Sequence, residues 1–256
     1  MDRKYYQAYE DRYRDVYRQG VKYWSDFPWE VLEDLAGLDS FLEFTGARPG
    51  VHKFLEPGCG EGHLALALAQ KGFDYLGVDL APSALERARL RLSEAGLGER
   101  AQFVLHDVTD LTFLDEATFD FALDNKLLHM LVVDQDRRRY LASLRRALKI
   151  GAWVMFNELF REGAPDGPIH SFEQYLEVFK PDLTTIEERT AYNGGKETKV
   201  RIPKVPARPK DKDGYAREME ESGFELVRFH ILKSYMGCRF YATVPQGSGG
   251  FRTFPS

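Results

Sequence analysis

The run Glu56-Pro57-Gly58-Cys59-Gly60-Glu61-Gly62 is the stretch of this chain best suited to chemistry. Its glycines alternate as G-x-G-x-G, so the backbone can turn sharply and approach a ligand with no side chain between. A dinucleotide-type loop would have the G-x-G-x-x-G spacing instead, with a pyrophosphate over the helix N-terminus. Asp79 stands where an acid ends the second strand of such a fold, and a carboxylate there accepts hydrogen bonds from both hydroxyls of a ribose. Further on, Asp124-Asn125-Lys126-Leu127-Leu128-His129 sets an acid and an imidazole in one short segment. An imidazole near its ordinary pKa can take a proton from a phenol or an ammonium. The other reading of His129 is a histidine packed beneath the following helix, and both stay open. His106, His170 and His230 are less well placed. Nothing around Cys59 lowers a thiol pKa, so it reads as a small buried residue of the loop.

These residues need strands and helices to hold them. From Val51 to about Glu158 short apolar runs alternate with amphipathic ones, the βαβα rhythm of a parallel sheet. Strands are expected over 51–56, 73–78, 101–105, 119–123 and 152–157. Helices are expected over 63–71, 82–95 and 134–149, with Gly72 as a C-cap and Pro82 in a first turn. In the last of these Tyr140, Leu141, Leu144, Ala147 and Leu148 share one face. A helix over 214–222 and two antiparallel strands over 224–232 and 239–244, joined near Tyr235-Met236-Gly237, complete the sheet.

At Glu56, Gly58, Gly60, Gly62, Asp79 and His106-Asp107-Val108, taken in order, the chain resembles the class I S-adenosylmethionine-dependent methyltransferases. The resemblance covers 51–158 and, more loosely, the C-terminal strand pair. It implies a Rossmann-like α/β fold, a doubly wound seven-stranded sheet that is mostly parallel, with an antiparallel C-terminal hairpin. By analogy Gly58 and Gly60 border the methionine part of S-adenosylmethionine and Asp79 holds the ribose, and Glu56, Cys59 and Gly62 are counted with the cofactor-binding residues. Asp107 would accept from the adenine amino group, with Leu80, His106 and Val108 around the ring. Asp124 and Asn125 would lie beside the sulfonium, and Asp124 and His129 are the candidate catalytic residues. Lys149-Ile150-Gly151-Ala152 stands where the family usually has paired glycines. The stretch 123–140, with Trp24 and Pro28-Trp29, also resembles the thiopurine, thiol and halide methyltransferases.

Two segments lie outside this rhythm. Residues 1–45 are helical in pattern and dense in aromatics, from Tyr5 through Phe27 and Trp29, and read as an N-terminal lid. Tyr5, Tyr9 and Tyr13 recur every fourth residue, so they share a helical face; Tyr13 is placed against the cofactor and the set could wall an acceptor pocket. Packing as an ordinary amphipathic helix is the alternative. Residues 162–211 hold half of the chain's prolines, the pair Gly194-Gly195 and a helical stretch over 172–179. They read as an irregular insertion in the 46–245 domain that caps the substrate. Residues 246–256 read as a mobile tail.

Composition narrows the partners. The chain has 256 residues, is 43% hydrophobic and carries a formal net charge of −5, which suits one large α/β domain and argues against a broad phosphate-binding face. Arg137, Arg138, Arg139, Arg145 and Arg146 read as the solvated face of a helix. No apolar run approaches a membrane span and the N-terminus does not read as a signal peptide, so a cytoplasmic monomer or homodimer is expected, without nucleic acid or membrane. A magnesium site through Asp124, Asn157 and Glu158 is a minor reading, and no metal is assigned. The expected activity is methyl transfer to O, N or S of a small-molecule acceptor. The alternatives are an RNA or protein methyltransferase and a non-catalytic module that binds the same cofactor.

Overall fold

The computed structural model describes residues 5–24, 28–193, 196–232 and 236–246. Phe27, Gly194-Gly195, Tyr235, the side chain of Trp29 and the tail from 247 onward lie outside them. The elements run α1 (Ala8–Arg18), α2 (Pro28–Thr45), β1 (Lys53–Pro57), α3 (His63–Gln70), β2 (Asp74–Asp79), α4 (Pro82–Glu94) and β3 (Ala101–Leu105). They continue β4 (Phe119–Asn125), α5 (Asp134–Ala147), β5 (Leu148–Leu159), α6 (Phe172–Phe179), β6 (Ile186–Asn193) and β7 (Lys196–Pro203). Last come α7 (Lys212–Glu221), β8 (Glu225–Leu232) and β9 (Gly237–Thr243).

Among the described residues the main sheet has seven strands in the order β3-β2-β1-β4-β5-β9-β8. The pairs from β3 to β5 are parallel, whereas β9 runs antiparallel to both β5 and β8. The doubly wound sheet with its C-terminal hairpin is therefore as expected. Strand order reverses between β1 and β4, and crevices at such switch points, outside the carboxyl ends of the strands, hold ligands. One face of the sheet buries Leu64, Leu68 and Leu85 of α3 and α4. The other buries Tyr140, Leu141 and Leu144 of α5 with Tyr215 and Met219 of α7. Each such side chain, fully withdrawn from water, contributes about 1.5–3 kcal/mol.

Four differences from the sequence reading have physical causes. Helix α5 stops at Ala147, because Leu148 turns extended and pairs with Phe119 at the start of β5. The insertion is not irregular throughout: β6 and β7 form a two-stranded antiparallel sheet. Seven of its sixteen strand residues are charged, and among the described side chains Ala191, Val200 and Ile202 pack inward, against Val16 and Val21. Half-buried strands with so few apolar residues give a weak period-two signal. The 1–45 segment divides in two. Helix α2 is part of the body, with Leu38 and Phe41 fully buried beside Phe54 and Tyr241, and only the first part covers the glycine loop. Finally, Arg137 is not solvated. It is fully buried, donating from Nε and Nη2 to Glu218 at 2.5 and 2.6 Å.

Candidate active site

The glycine loop needs its glycines. Gly58, Gly60 and Gly62 have φ of +70°, +50° and +68°, where a side chain is strained. A Cβ on Gly58 would lie 3.0 Å from Leu127, so this loop and the segment after β4 touch across the switch point. Gly60 N–H donates to Asp79 Oδ2 at 2.8 Å, and Ala81 N–H donates to Oδ1 at 2.8 Å. Loop and acid are thus one hydrogen-bonded unit. Burial pushes the Asp79 carboxyl up, and the N–H groups of Ala81 and Gly60 pull it back.

At the end of β3, Asp107 Oδ1 accepts from the backbone N–H and hydroxyl of Thr109, and its Oδ2 accepts from Tyr6 Oη at 2.8 Å. Val108 is buried, Leu80 is half-buried, and the His106 ring lies 4.7 Å from that of Phe113. Two loop residues point elsewhere. Glu56 is turned into the body, where it accepts from the Tyr75 hydroxyl and burial pushes its carboxyl well up. Cys59 is buried with its Sγ against Gly77, and burial raises its thiol in the same way.

Helix α1 lies over this loop. A Cβ on Gly60 would sit 2.5 Å from Tyr13 Oη, and Tyr17 Oη donates to Glu61 Oε1 at 2.7 Å. Ser83 Oγ donates to Glu10 at 2.6 Å, tying α1 to α4 as well. Gly60→Ala is expected to weaken S-adenosylhomocysteine binding at least ~10-fold, from left-handed strain of about 1–2 kcal/mol plus displacement of Tyr13. Calorimetric titration checks this; wild-type affinity would show that neither the loop conformation nor the Tyr13 contact matters to the cofactor.

The ends of β4 and β5 carry a second network. Asp124 is fully buried; its Oδ1 accepts from Leu127 N–H at 2.9 Å and its Oδ2 from Tyr140 Oη at 2.8 Å. Burial and the neighbouring Glu158 push its carboxyl well up. His129 is 5% exposed, with Nδ1 2.7 Å from Glu158 Oε2. Burial drives its imidazole down to about 3 and the Glu158 carboxyl up to about 7, so the pair favours its neutral forms. Asn125 donates to Asp34 Oδ2 at 3.2 Å and accepts from Asn157 at 2.9 Å. His63 Nε2 and Lys126 Nζ also reach Asp34 Oδ2, at 3.2 and 3.1 Å. Against the effect of burial, they hold that carboxyl well below the ordinary range.

Comparison with known proteins places this architecture. The profile of the Methyltransferase domain family matches residues 54–151, from β1 into the start of β5. The 2-heptyl-1-hydroxyquinolin-4(1H)-one methyltransferase of Mycobacteroides abscessus is 36% identical over 164 residues, 63% of this chain and 70% of that protein. The chain belongs to the class I S-adenosylmethionine-dependent methyltransferases. A ubiquinone biosynthesis O-methyltransferase of Thiobacillus denitrificans is 35% identical over 109 residues, and there the match spans 43% of this chain and 45% of the relative. Among solved structures, the Burkholderia thailandensis 1,6-didemethyltoxoflavin-N1-methyltransferase, bound to that compound and S-adenosylhomocysteine, shares the fold with a TM-score of 0.60. It is 20% identical, with 94% of this chain and 87% of that one covered.

In this methyltransferase the structure brings Gly58, Gly60, Gly62, Asp79, Leu127 and Tyr13 together at the switch point, with Asp107 and Tyr6 held by each other beside α1. That arrangement fits S-adenosylmethionine: a side-chain-free cradle beside Asp79, each of whose oxygens has a second acceptor site beyond the backbone N–H it holds. Asp34, His63, Tyr6 and Tyr17 were missed by the sequence reading. Asp34 had a signal, since it lies four residues before the buried Leu38 on the apolar face of α2. The contacts of the other three join residues too far apart for spacing to reveal.

Proposed function

We propose that this methyltransferase methylates a small, hydroxyl-bearing aromatic or heteroaromatic molecule at oxygen. The observation that carries the reading is the cover over the switch point. Tyr13 lies on the glycine loop, while Tyr9 Oη of the same helix donates to Pro206 O of the insertion at 2.5 Å. A switch point covered by one helix and one insertion suits a compact flat acceptor more than a polymer. The names of the quinolone and ubiquinone relatives support the same class. The net charge of −5 favours it over an RNA acceptor.

In this reading Asp79 holds the ribose, Asp107 the adenine amino group with Leu80, His106 and Val108 around the ring, and Gly58 and Gly60 the methionine part. Tyr13 covers the loop and Asn125 lies toward the sulfonium. When bound, S-adenosylmethionine supplies a methyl group on cationic sulfur, which leaves with the C–S electron pair as the acceptor's lone pair bonds to carbon. The protein's share is positioning and exclusion of water. Asp124 holds the turn after β4, because its oxygens are taken by Leu127 and Tyr140. His129 is placed with it as a positioning residue, since an imidazole driven down to about 3 is a poor proton acceptor near neutrality.

Incubation with radiolabelled S-adenosylmethionine and panels of phenols, hydroxylated heteroaromatics, thiols and amines tests the reading. Label is expected in the first two classes. Label confined to thiols or amines would sink the oxygen assignment, and label only in RNA or protein would sink the small acceptor. His129→Gln is expected to lower turnover without moving its pH profile; loss of an acidic limb in that profile would instead make His129 the base.

A further inference from the structure

Arg12 is a buried cation without an anion. It is 9% exposed, its Nε is buried without an acceptor, and it forms no hydrogen bond or ion pair among the described residues. Its guanidinium lies 4.3 Å from the centre of the Trp24 ring. The other buried arginines among the described residues do have hydrogen-bond acceptors, although Arg208 Nε lacks one too and those of Arg239 are neutral. Arg137 pairs with Glu218 and Arg208 with Asp134, while Arg239 donates to Asn157 and to the carbonyl of Glu33. A buried charge normally has a partner, because leaving water uncompensated is costly. Burial and nearby Arg189 drive the Arg12 guanidinium down to about 10, while Tyr9, Tyr13 and the carboxylate of Glu187 act in the opposite direction. Among the described residues the Arg12 guanidinium therefore has N–H donors to offer an anion.

Helical spacing shows which side of α1 it comes from. Tyr6, Tyr13 and Tyr17 form the stripe that meets Asp107, Gly60 and Glu61, the side of the cofactor loops. Tyr9, Arg12 and Val16, three and four residues apart, border that stripe on the side of the insertion. Tyr9 reaches Pro206 O, and Val16 packs on Ala191, Val200 and Ile202. Arg12 lies between them, on the insertion side. Its guanidinium, laid on the Trp24 face, offers a fork of N–H donors that suits a planar oxyanion.

We propose that Arg12 binds the acceptor's anionic oxygen, so that the acceptor enters between α1 and the insertion and is held ionised. The proposal rests on the small-acceptor reading above. It also explains why no base is needed, since an acceptor held as its oxyanion has no proton left to lose before the methyl group arrives.

The test uses the full chain with saturating S-adenosylhomocysteine. Two probes are compared, 2-heptyl-1-hydroxyquinolin-4(1H)-one and its analogue without the N-hydroxyl, together with a series of phenols and aromatic carboxylates. Arg12→Met is expected to weaken binding of the ionisable probes at least ~10-fold and to leave the analogue unchanged. Arg12→Lys should recover part of the loss. The Tm of the ligand-free Arg12→Met variant should hold or rise, because an uncompensated charge is removed, and this separates the effect from misfolding. Equal affinity of wild type and Arg12→Met for every anionic probe would overturn the proposal. So would an equal loss of S-adenosylhomocysteine affinity, which would assign the anion to the cofactor's own carboxylate. Methylation of neutral thiols or amines with anions ignored would overturn it while leaving a small acceptor standing. If no small molecule is bound or methylated, the functional reading falls and the proposal with it.

Discussion

Asp79→Asn is expected to weaken S-adenosylhomocysteine binding about 100-fold, with little change in the fold. A hydrogen bond to a charged acceptor contributes roughly 1.5–3 kcal/mol, so two ribose hydroxyls on one carboxylate account for about 3 kcal/mol or more. The asparagine keeps one oxygen, enough for Gly60 N–H or Ala81 N–H but not for both and the ribose. The sign for stability is opposite. Burial pushes the Asp79 carboxyl up, so in the empty protein its charge works against folding. Without ligand, the Tm of Asp79→Asn should therefore hold or rise, while the stabilisation on adding S-adenosylhomocysteine should nearly vanish. Calorimetry and thermal denaturation read the two halves separately. A variant that binds within a few-fold of wild type would show that the ribose is held by something else.

Arg137→Ala is expected to have the largest effect on stability. The guanidinium is fully buried and uses both sides of its fork: Nε and Nη2 go to Glu218, and Nη1 to the carbonyls of Leu128 and Leu131 at 2.7 and 2.9 Å. Removing it leaves a buried carboxylate and two carbonyls without their donor, a loss of about 3–5 kcal/mol. For a chain of this size that lowers Tm by roughly 10 °C. The carbonyls belong to the turn that carries His129, so turnover should fall further than the loss of folded protein explains. A Tm within about 2 °C of wild type would show that water or a rearranged α7 replaces the donor. Arg137→Lys should recover only part of the loss, because an ammonium cannot span Glu218 and the two carbonyls at once.

Both variants probe features that differ in how they could be read. Asp79 and the glycines were legible because each acts through its local element. A strand, a left-handed turn and a helix start leave their marks within a few residues, and Ala101–Leu105 and Phe172–Phe179 were placed to the residue. Arg137 was misread for the opposite reason. It follows two acids and precedes two arginines on a charged helix, and only the packing of α7, with Glu218 81 residues away, encloses it. The hairpin β6–β7 escaped because its inward residues are few and its covering helix is α1, nearly 200 positions earlier in the chain.

The sequence by itself determined the glycine loop, the acid after β2, the strand order's βαβα half and the family they belong to. These depend on backbone conformations that particular residue types permit or forbid, and such preferences are local. Only the tertiary structure decided which groups meet. It joined Tyr6 to Asp107 across 101 residues and Arg239 to the carbonyl of Glu33 across 206. It also turned Glu56 and Asp124 inward, and buried Arg12 with no acceptor for its Nε among the described residues. Burial and pairing are properties of the assembled layers, and the electrostatics of a site follow from them rather than from the spacing of its residues.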